Sequence, residues 1–188
     1  MTMNSKQGRL FVISAPSGAG KGTIIKRLLE LRPGLVLSVS ATTRAPRVGE
    51  TDGVSYFFTT REKFEEMIAH GEFLEYAEYV GEYYGTPKKP VHEQLEAGKD
   101  VLLEIEVQGA RQVLAAEPNA VSIFIIPPSM EELERRLRGR GTDSEEKLVA
   151  RLQQAQIELG YKNEYDYVVV NDEVDRVSDE ILTIIDNE

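Results

Sequence analysis

The chain predicts an α/β fold, a parallel sheet flanked by helices with a small lobe inserted into it and a helical lid. Three features carry that prediction. Five short apolar runs, Leu10 to Ser14, Leu35 to Val39, Val101 to Ile105, Val121 to Ile126 and Tyr167 to Val170, alternate with segments whose apolar residues recur at helical spacing. Such alternation is the sequence form of βαβ units around a parallel sheet. A glycine-rich stretch follows the first run, and the rhythm breaks between Ser40 and Pro90.

Residues 1–39 open the core with a polar start, the first apolar run and then Ile24, Ile25, Leu28 and Leu29 at helical spacing. Residues 40–90 form the inserted lobe, with most of the tyrosines, several Gly and Pro, and short runs at Val54 to Thr59 and Phe73 to Val80. Residues 91–129 return to the core. Residues 130–159 are strongly charged, and Gly139-Arg140-Gly141 separates two helical patterns, as expected of a lid. The second pattern opens at Ser144 with Glu145 and Glu146, a capping residue followed by acidic groups that suit a helix N-terminus. Residues 160–188 complete the core with the last strand and a final helix.

A chain of 188 residues, 41% hydrophobic and 29% charged, has the composition of an ordinary globular protein with one buried core. Its formal net charge of −10 excludes the broad basic surface that nucleic-acid phosphates require, so any anion must meet a local positive pocket. With no cysteine there is no disulfide framework and no thiolate chemistry. The run Leu10, Phe11, Val12, Ile13 is too short for a signal-peptide core or a membrane span, and a cytoplasmic protein without a membrane partner is expected.

After the first strand comes Ser14-Ala15-Pro16-Ser17-Gly18-Ala19-Gly20-Lys21-Gly22-Thr23, and then the helical pattern. Strand, loop and helix in that order make a P-loop: successive N–H groups and the helix N-terminus meet a phosphate, and Lys21 adds a full charge. The Walker A pattern is incomplete, because Ala15 replaces its first Gly and Gly22 its Mg²⁺-binding Ser or Thr, with Thr23 one place late. Downstream, Ser40-Ala41-Thr42-Thr43-Arg44-Ala45-Pro46-Arg47 precedes Gly49-Glu50 and Tyr56-Phe57-Phe58. Two guanidinium groups near a tyrosine hydroxyl suit a second phosphate, which a kinase for a phosphorylated acceptor needs beside its donor site. His70 and His92 match no catalytic arrangement and are expected at the surface, and no metal-ligand spacing appears.

In this order and spacing the two motifs resemble the guanylate kinase family. The likeness continues through Phe73-Leu74-Glu75, Gly81, Tyr83-Tyr84-Gly85-Thr86, Gln108-Gly109-Ala110, Arg136-Leu137, Gly139-Arg140-Gly141 and Val170-Asn171-Asp172, nearly the whole chain. It implies Mg²⁺-dependent transfer of a phosphoryl group from ATP to GMP, with dGMP as a further acceptor. Arg44, Arg47, Tyr56 and Tyr84 would hold the GMP phosphate, and Ser40, Glu75 and Thr86 would read guanine. Guanine offers two donors at N1 and N2 that one carboxylate can accept, whereas adenine would set a lone pair against Glu75.

The resemblance also assigns the loop from Ala15 to Thr23 to ATP, with Lys21, Arg136, Arg140 and Arg151 compensating charge during transfer and Asn171 near the adenine or ribose. Strand alternation puts Glu104 and Glu106 on one face, placed to hold GMP or organise the waters around Mg²⁺. Family members usually carry aspartates there. No side chain is assigned as a direct metal ligand, with Glu106 the one candidate. Arg135 and Arg138 belong instead to a salt-bridged helix face. Two rival functions remain: a non-catalytic guanylate-kinase-like module that binds phosphopeptides, against which Gly18, Gly20 and Lys21 argue, and an AMP kinase, against which Glu75 argues.

Overall fold

The structure, a computed structural model, describes residues 7–139, 141 and 144–188. Strand β1 (Leu10–Ser14) leads through a tight loop into helix α1 (Lys21–Leu31) and the short strand β2 (Val36–Leu37). The inserted lobe follows: β3 (Ala41–Thr42), β4 (Phe57–Phe58), α2 (Arg61–Ala69), β5 (Phe73–Tyr79) and β6 (Glu82–Pro87). The chain returns through α3 (Lys88–Glu96), β7 (Val101–Glu104), α4 (Val107–Ala116) and β8 (Val121–Ile126). A helical pair, α5 (Met130–Gly139) and α6 (Glu145–Leu159), precedes β9 (Tyr167–Val170) and α7 (Val174–Asn187).

The five apolar runs of the sequence are the five strands of the central sheet, all parallel, in the order β2-β7-β1-β8-β9. Each strand of a parallel sheet is covered on both faces, and β1 is buried throughout. Phe11 and Ile13 face a layer with Ile24, Leu28, Val177, Ile181 and Ile185 of α1 and α7. Leu10 and Val12 face the opposite layer, with Val91 and Leu95 of α3 and Ala110 and Val113 of α4. The chain places β2 at one edge and β7 between it and β1, then crosses to add β8 and β9 on the other side, so β1 stands at the point where the chain changes sides. Ligands of open α/β sheets bind at the carboxyl ends of the strands at such a point.

The lobe is a second sheet, β4-β3-β6-β5, carrying α2 on one face. Phe64 of α2 stacks between Phe73 and Tyr83, with ring centroids 4.3 and 5.1 Å away. Tyr83 therefore packs inward while its neighbour Tyr84 turns to the opposite face, as strand alternation requires. The small sheet ends at Pro87. Helix α3 belongs to the core through Val91 and Leu95, which moves the sequence-based boundary at Pro90 back by one helical turn. Among the described residues no helix is long and apolar enough to cross a membrane.

The hairpin joining β5 to β6 carries one strained residue. Val80 has φ 53° and Gly81 φ 78°, the left-handed pair of a two-residue turn in which Asn-Gly is favoured. A β-branched side chain there costs about 1–2 kcal/mol, and Val80 is 83% exposed, so it recovers little of that by packing. Val80→Asn is expected to raise the melting temperature by about 2–4 °C. A thermal melt in which the variant unfolds at or below the wild-type temperature would show that the turn is not strained.

Candidate active site

The loop after β1 turns on two left-handed glycines, Gly18 at φ 91° and Gly20 at φ 95°. Each is also pressed from behind. A Cβ on Gly18 would lie 2.6 Å from Leu137 Cδ2 of α5, and one on Gly20 would run into the Asn171 side-chain amide. Among the described residues the backbone N–H groups of Gly18, Gly20, Lys21 and Gly22 donate to no backbone carbonyl, which leaves a run of donors at the start of α1. Such a concavity of N–H groups binds anions. Lys21 Nζ reaches the Ile105 carbonyl at 3.2 Å and Glu106 Oε1 at 3.4 Å.

Behind the loop, the Ala19 carbonyl accepts from Asn171 Nδ2 at 2.6 Å and Arg136 Nη1 at 3.4 Å, and Arg136 Nη2 donates to the Asn171 carbonyl at 2.9 Å. Glu132 orients the same guanidinium at 2.7 Å, and Arg135 and Arg136 hold the Glu132 carboxyl down at about 2. Arg135 and Arg138 pair with Glu132, Glu134 and Glu145 on the helix surface, as the sequence indicated. Arg151 is half-buried on α6. Arg140 lies outside the described residues.

The second anion cluster forms on the lobe. Arg44 makes a two-pronged ion pair with Glu50, at 3.0 and 2.8 Å, and its guanidinium sits over the rings of Tyr56 and Phe58. Tyr56 meets Tyr84 edge to face, 6.1 Å apart. Glu50 also accepts from the Arg47 backbone N–H at 2.7 Å, and the Arg44 side chain and this N–H hold its carboxyl below the usual range. Arg47 itself is exposed.

Glu75 pairs across the sheet with Thr86, and Ala41 with Gly85, a register that brings Ser40 level with Thr86. Thr86 Oγ1 donates to Glu75 Oε1 at 2.6 Å, and Glu75 is only 8% exposed. Burial pushes its carboxyl above the ordinary value, with the Thr86 bonds opposing.

An acid–hydroxyl pair, an arginine–tyrosine cluster and a glycine-turned N–H cradle in one α/β chain narrow the choice of family, and the comparisons with known proteins decide it. The family model for guanylate kinase matches residues 7–188. The chain belongs to the guanylate kinase family. It is 54% identical over 184 residues to the guanylate kinase of Synechocystis sp., covering 98% of this chain and 96% of the relative. The guanylate kinase of Caldanaerobacter subterraneus subsp. tengcongensis is 55% identical over 180 residues, covering 96% and 87%. The crystal structure of guanylate kinase from Anaplasma phagocytophilum superposes with a TM-score of 0.76 at 39% identity, covering 98% of this chain and 88% of that one.

Within this guanylate kinase fold one placement differs from the sequence expectation. Strand β7 ends at Glu104, and Glu106 stands at the N-cap position of α4 with no side-chain capping bond and its side chain 70% exposed. The helix that starts at Val107 takes Glu106 as its flanking residue, so the strand alternation that would pair it with Glu104 does not reach it. Asn171 is buried, and its Nδ2 donates to the Ala19 carbonyl behind the loop.

Three residues that shape the site carried no assigned role in the sequence. Glu50 holds Arg44, Gln112 of α4 exchanges two hydrogen bonds with the Tyr76 backbone at 3.2 and 3.1 Å, and Gly109 leaves space for Glu75. A Cβ on Gly109 would stand 2.8 Å from Glu75 Oε2. The signal was present: glycine inside a helix costs about 1 kcal/mol against alanine and needs a reason.

The raised carboxyl of Glu75 fixes the sign of a pH effect. Below 4.5 both the folded and the unfolded chain hold the proton. As pH rises the unfolded chain releases it first, so stability falls until the folded-state pKa is passed. Glu75→Gln titrates in neither state. The melting temperature of Glu75→Gln relative to wild type is expected to shift in the variant's favour as pH rises above 4.5. A difference that stays flat in calorimetry as pH rises from there would contradict the assignment.

Proposed function

We propose that the chain catalyses transfer of the γ-phosphoryl group of ATP to GMP, giving ADP and GDP, in the cytoplasm. The observation that carries this is the buried Glu75–Thr86 pair in a guanylate kinase chain whose phosphate loop keeps Gly18, Gly20 and Lys21. A carboxylate beside a hydroxyl, in a pocket that pays for neither to be exposed to water, matches the N1–H and N2–H₂ donors and the O6 acceptor of guanine. Ser40 lies in the same row and serves the base with them.

Arg44, Arg47, Tyr56 and Tyr84 take the GMP phosphate. Glu50 holds the Arg44 fork over Tyr56 and Phe58 before the nucleotide arrives, so little side-chain freedom remains to be lost on binding. The N–H run from Gly18 to Gly22, with Lys21, takes the donor phosphates, and Ala15, Pro16, Ser17, Ala19 and Thr23 shape that loop. Arg136 and Arg151, together with Arg140, compensate the charge that develops on the transferring group. An oxygen of the GMP phosphate attacks the γ-phosphorus as the bond to the β–γ bridging oxygen breaks, and ADP leaves. Alignment and water exclusion supply most of the acceleration.

The residues present fit Mg²⁺ carried by ATP and water. Gly22 offers no hydroxyl, Glu104 Oε1 lies 3.7 Å from where a Cβ on Gly22 would stand, and no cluster of three acidic or histidine ligands occurs among the described residues. Glu104 and the exposed Glu106 would hold its waters, with Glu106 the candidate for direct contact. Held there with ATP, Mg²⁺ would supply neutralisation of the phosphate charge.

Coupled ADP production with Mg·ATP and each of GMP, dGMP, AMP, CMP and UMP tests the function. Turnover with the guanine nucleotides alone is expected. Folded protein that binds GMP without turning it over would favour the binding-module alternative, and turnover of AMP would overturn the role of Glu75. Gly109→Ala is expected to fold at least as well as wild type, yet to raise KM for GMP about tenfold by displacing Glu75, with KM for ATP unchanged. Steady-state kinetics in both substrates check this, and an unchanged KM for GMP would show that the carboxylate has room to spare.

A further inference from the structure

Helix α6 ends with a buried carboxylate that the site described above does not use. Glu158 is 9% exposed, its Oε1 accepts from Gln154 Nε2 at 3.0 Å, and its Oε2 is buried with no hydrogen-bond partner. Polar atoms left in that state destabilise a fold, and most proteins avoid them. Tyr165, whose buried hydroxyl also lacks a partner, is among its surroundings, with groups from three further segments. The Ser17 backbone N–H of the phosphate loop and the Lys21 ammonium of α1 favour its charge. Glu106 at the start of α4 opposes it, as does burial, the largest influence, and the carboxyl is raised on balance. Seven residues earlier on α6 stands Arg151. Two turns of helix bring residues at that spacing back to nearly the same line along its axis.

We propose that Glu158 is a positioning residue for the phosphoryl donor: it braces the Ser17 end of the phosphate loop and Lys21 from the line of α6 that also carries Arg151. One helix then carries both the carboxylate beside the loop and, two turns earlier, Arg151. A carboxylate retained only for stability would have both oxygens satisfied. This one is close to the loop's donors and incompletely paired, which is the state of a group held for the sake of what it touches. The proposal rests on the donor-binding role given to the loop above.

The test uses the whole protein with Glu158→Leu and Glu158→Gln, reading thermal melts, ADP affinity by titration calorimetry, and KM for ATP and GMP. Glu158→Leu fills the same space without an unpaired oxygen, so its melting temperature is expected to equal or exceed that of wild type. Its ADP affinity is expected to fall about tenfold and its KM for ATP to rise in step, with KM for GMP unchanged. Glu158→Gln keeps an oxygen that can accept from Ser17 and is expected to recover most of the ADP affinity. Unchanged or tighter ADP binding by Glu158→Leu would overturn the proposal, the tighter result marking Glu158 as a mere repulsive charge. A parallel rise in both KM values with a lower melting temperature would also overturn it, as the mark of a purely structural residue. Because ADP binding is read without turnover, failure of wild type to phosphorylate GMP would count against the proposed function and not against this role.

Discussion

The carbonyl of Ala19 is where the donor half of the molecule is fixed. A loop that turns its N–H groups toward a phosphate must leave carbonyls facing the protein, and a buried carbonyl needs a partner. Asn171 at the end of β9 and Arg136 on α5 both donate to that one oxygen, and Arg136 also grips the Asn171 carbonyl. Strand β9 and helix α5 therefore converge on the loop after β1, although more than a hundred residues separate them from it. The two glycines follow from the same packing. Gly18 gives way to Leu137 and Gly20 to Asn171, so their lack of a side chain serves the contact behind the loop as well as the left-handed turn.

Helix α4 carries that frame to the lobe. Its capping residue Glu106 meets Lys21, its Gly109 admits the Glu75 carboxylate, and its Gln112 clamps the Tyr76 backbone. These are successive turns of one ten-residue helix. The loop after β1 and strand β5 are thus joined by a single helix, and the distance between them depends on helix geometry more than on loop conformation. An in-line transfer needs that distance held closely, because small misplacements are costly. The arginine–tyrosine cluster stands farther out on the lobe, organised by Glu50 and not by α4.

How far the sequence revealed this depends on the range of each interaction. The five apolar runs predict the five core strands because a parallel sheet buried on both faces needs continuous hydrophobic stretches, and each run contains its strand. The cap at Ser144, whose Oγ accepts from the Lys147 N–H, was visible because capping is local. The same holds for the ion pairs of Arg135 with Glu132 and of Arg138 with Glu134. The motifs supplied the candidate site residues through the family resemblance. Periodicity did not show which residues support them: Asn171 on Ala19, Gln112 on Tyr76 and Gly109 beside Glu75 join segments far apart in the chain. Glu106 went to a strand because alternation cannot tell a strand residue from a helix N-cap when the helix starts at the next residue.

The destabilising features that remain divide by position. Val80 is strained at an exposed hairpin tip, touching nothing that depends on it. Glu75 and Glu158 are buried carboxyls, both raised chiefly by the loss of water, and each stands beside one half of the site. A hydrophobic residue at either position would pack without that penalty, so stability alone does not explain a carboxylate there. Glu75 has a hydroxyl partner and a glycine that makes room for it, the provisions expected around a group that must present its oxygens in one orientation. Glu158 has a partner for one oxygen and, beside it, the Ser17 amide of the loop after β1 and the Lys21 ammonium. Local cost coincides with ligand-facing geometry at both carboxylates and not at Val80, and this contrast separates groups kept for function from strain that packing merely tolerates.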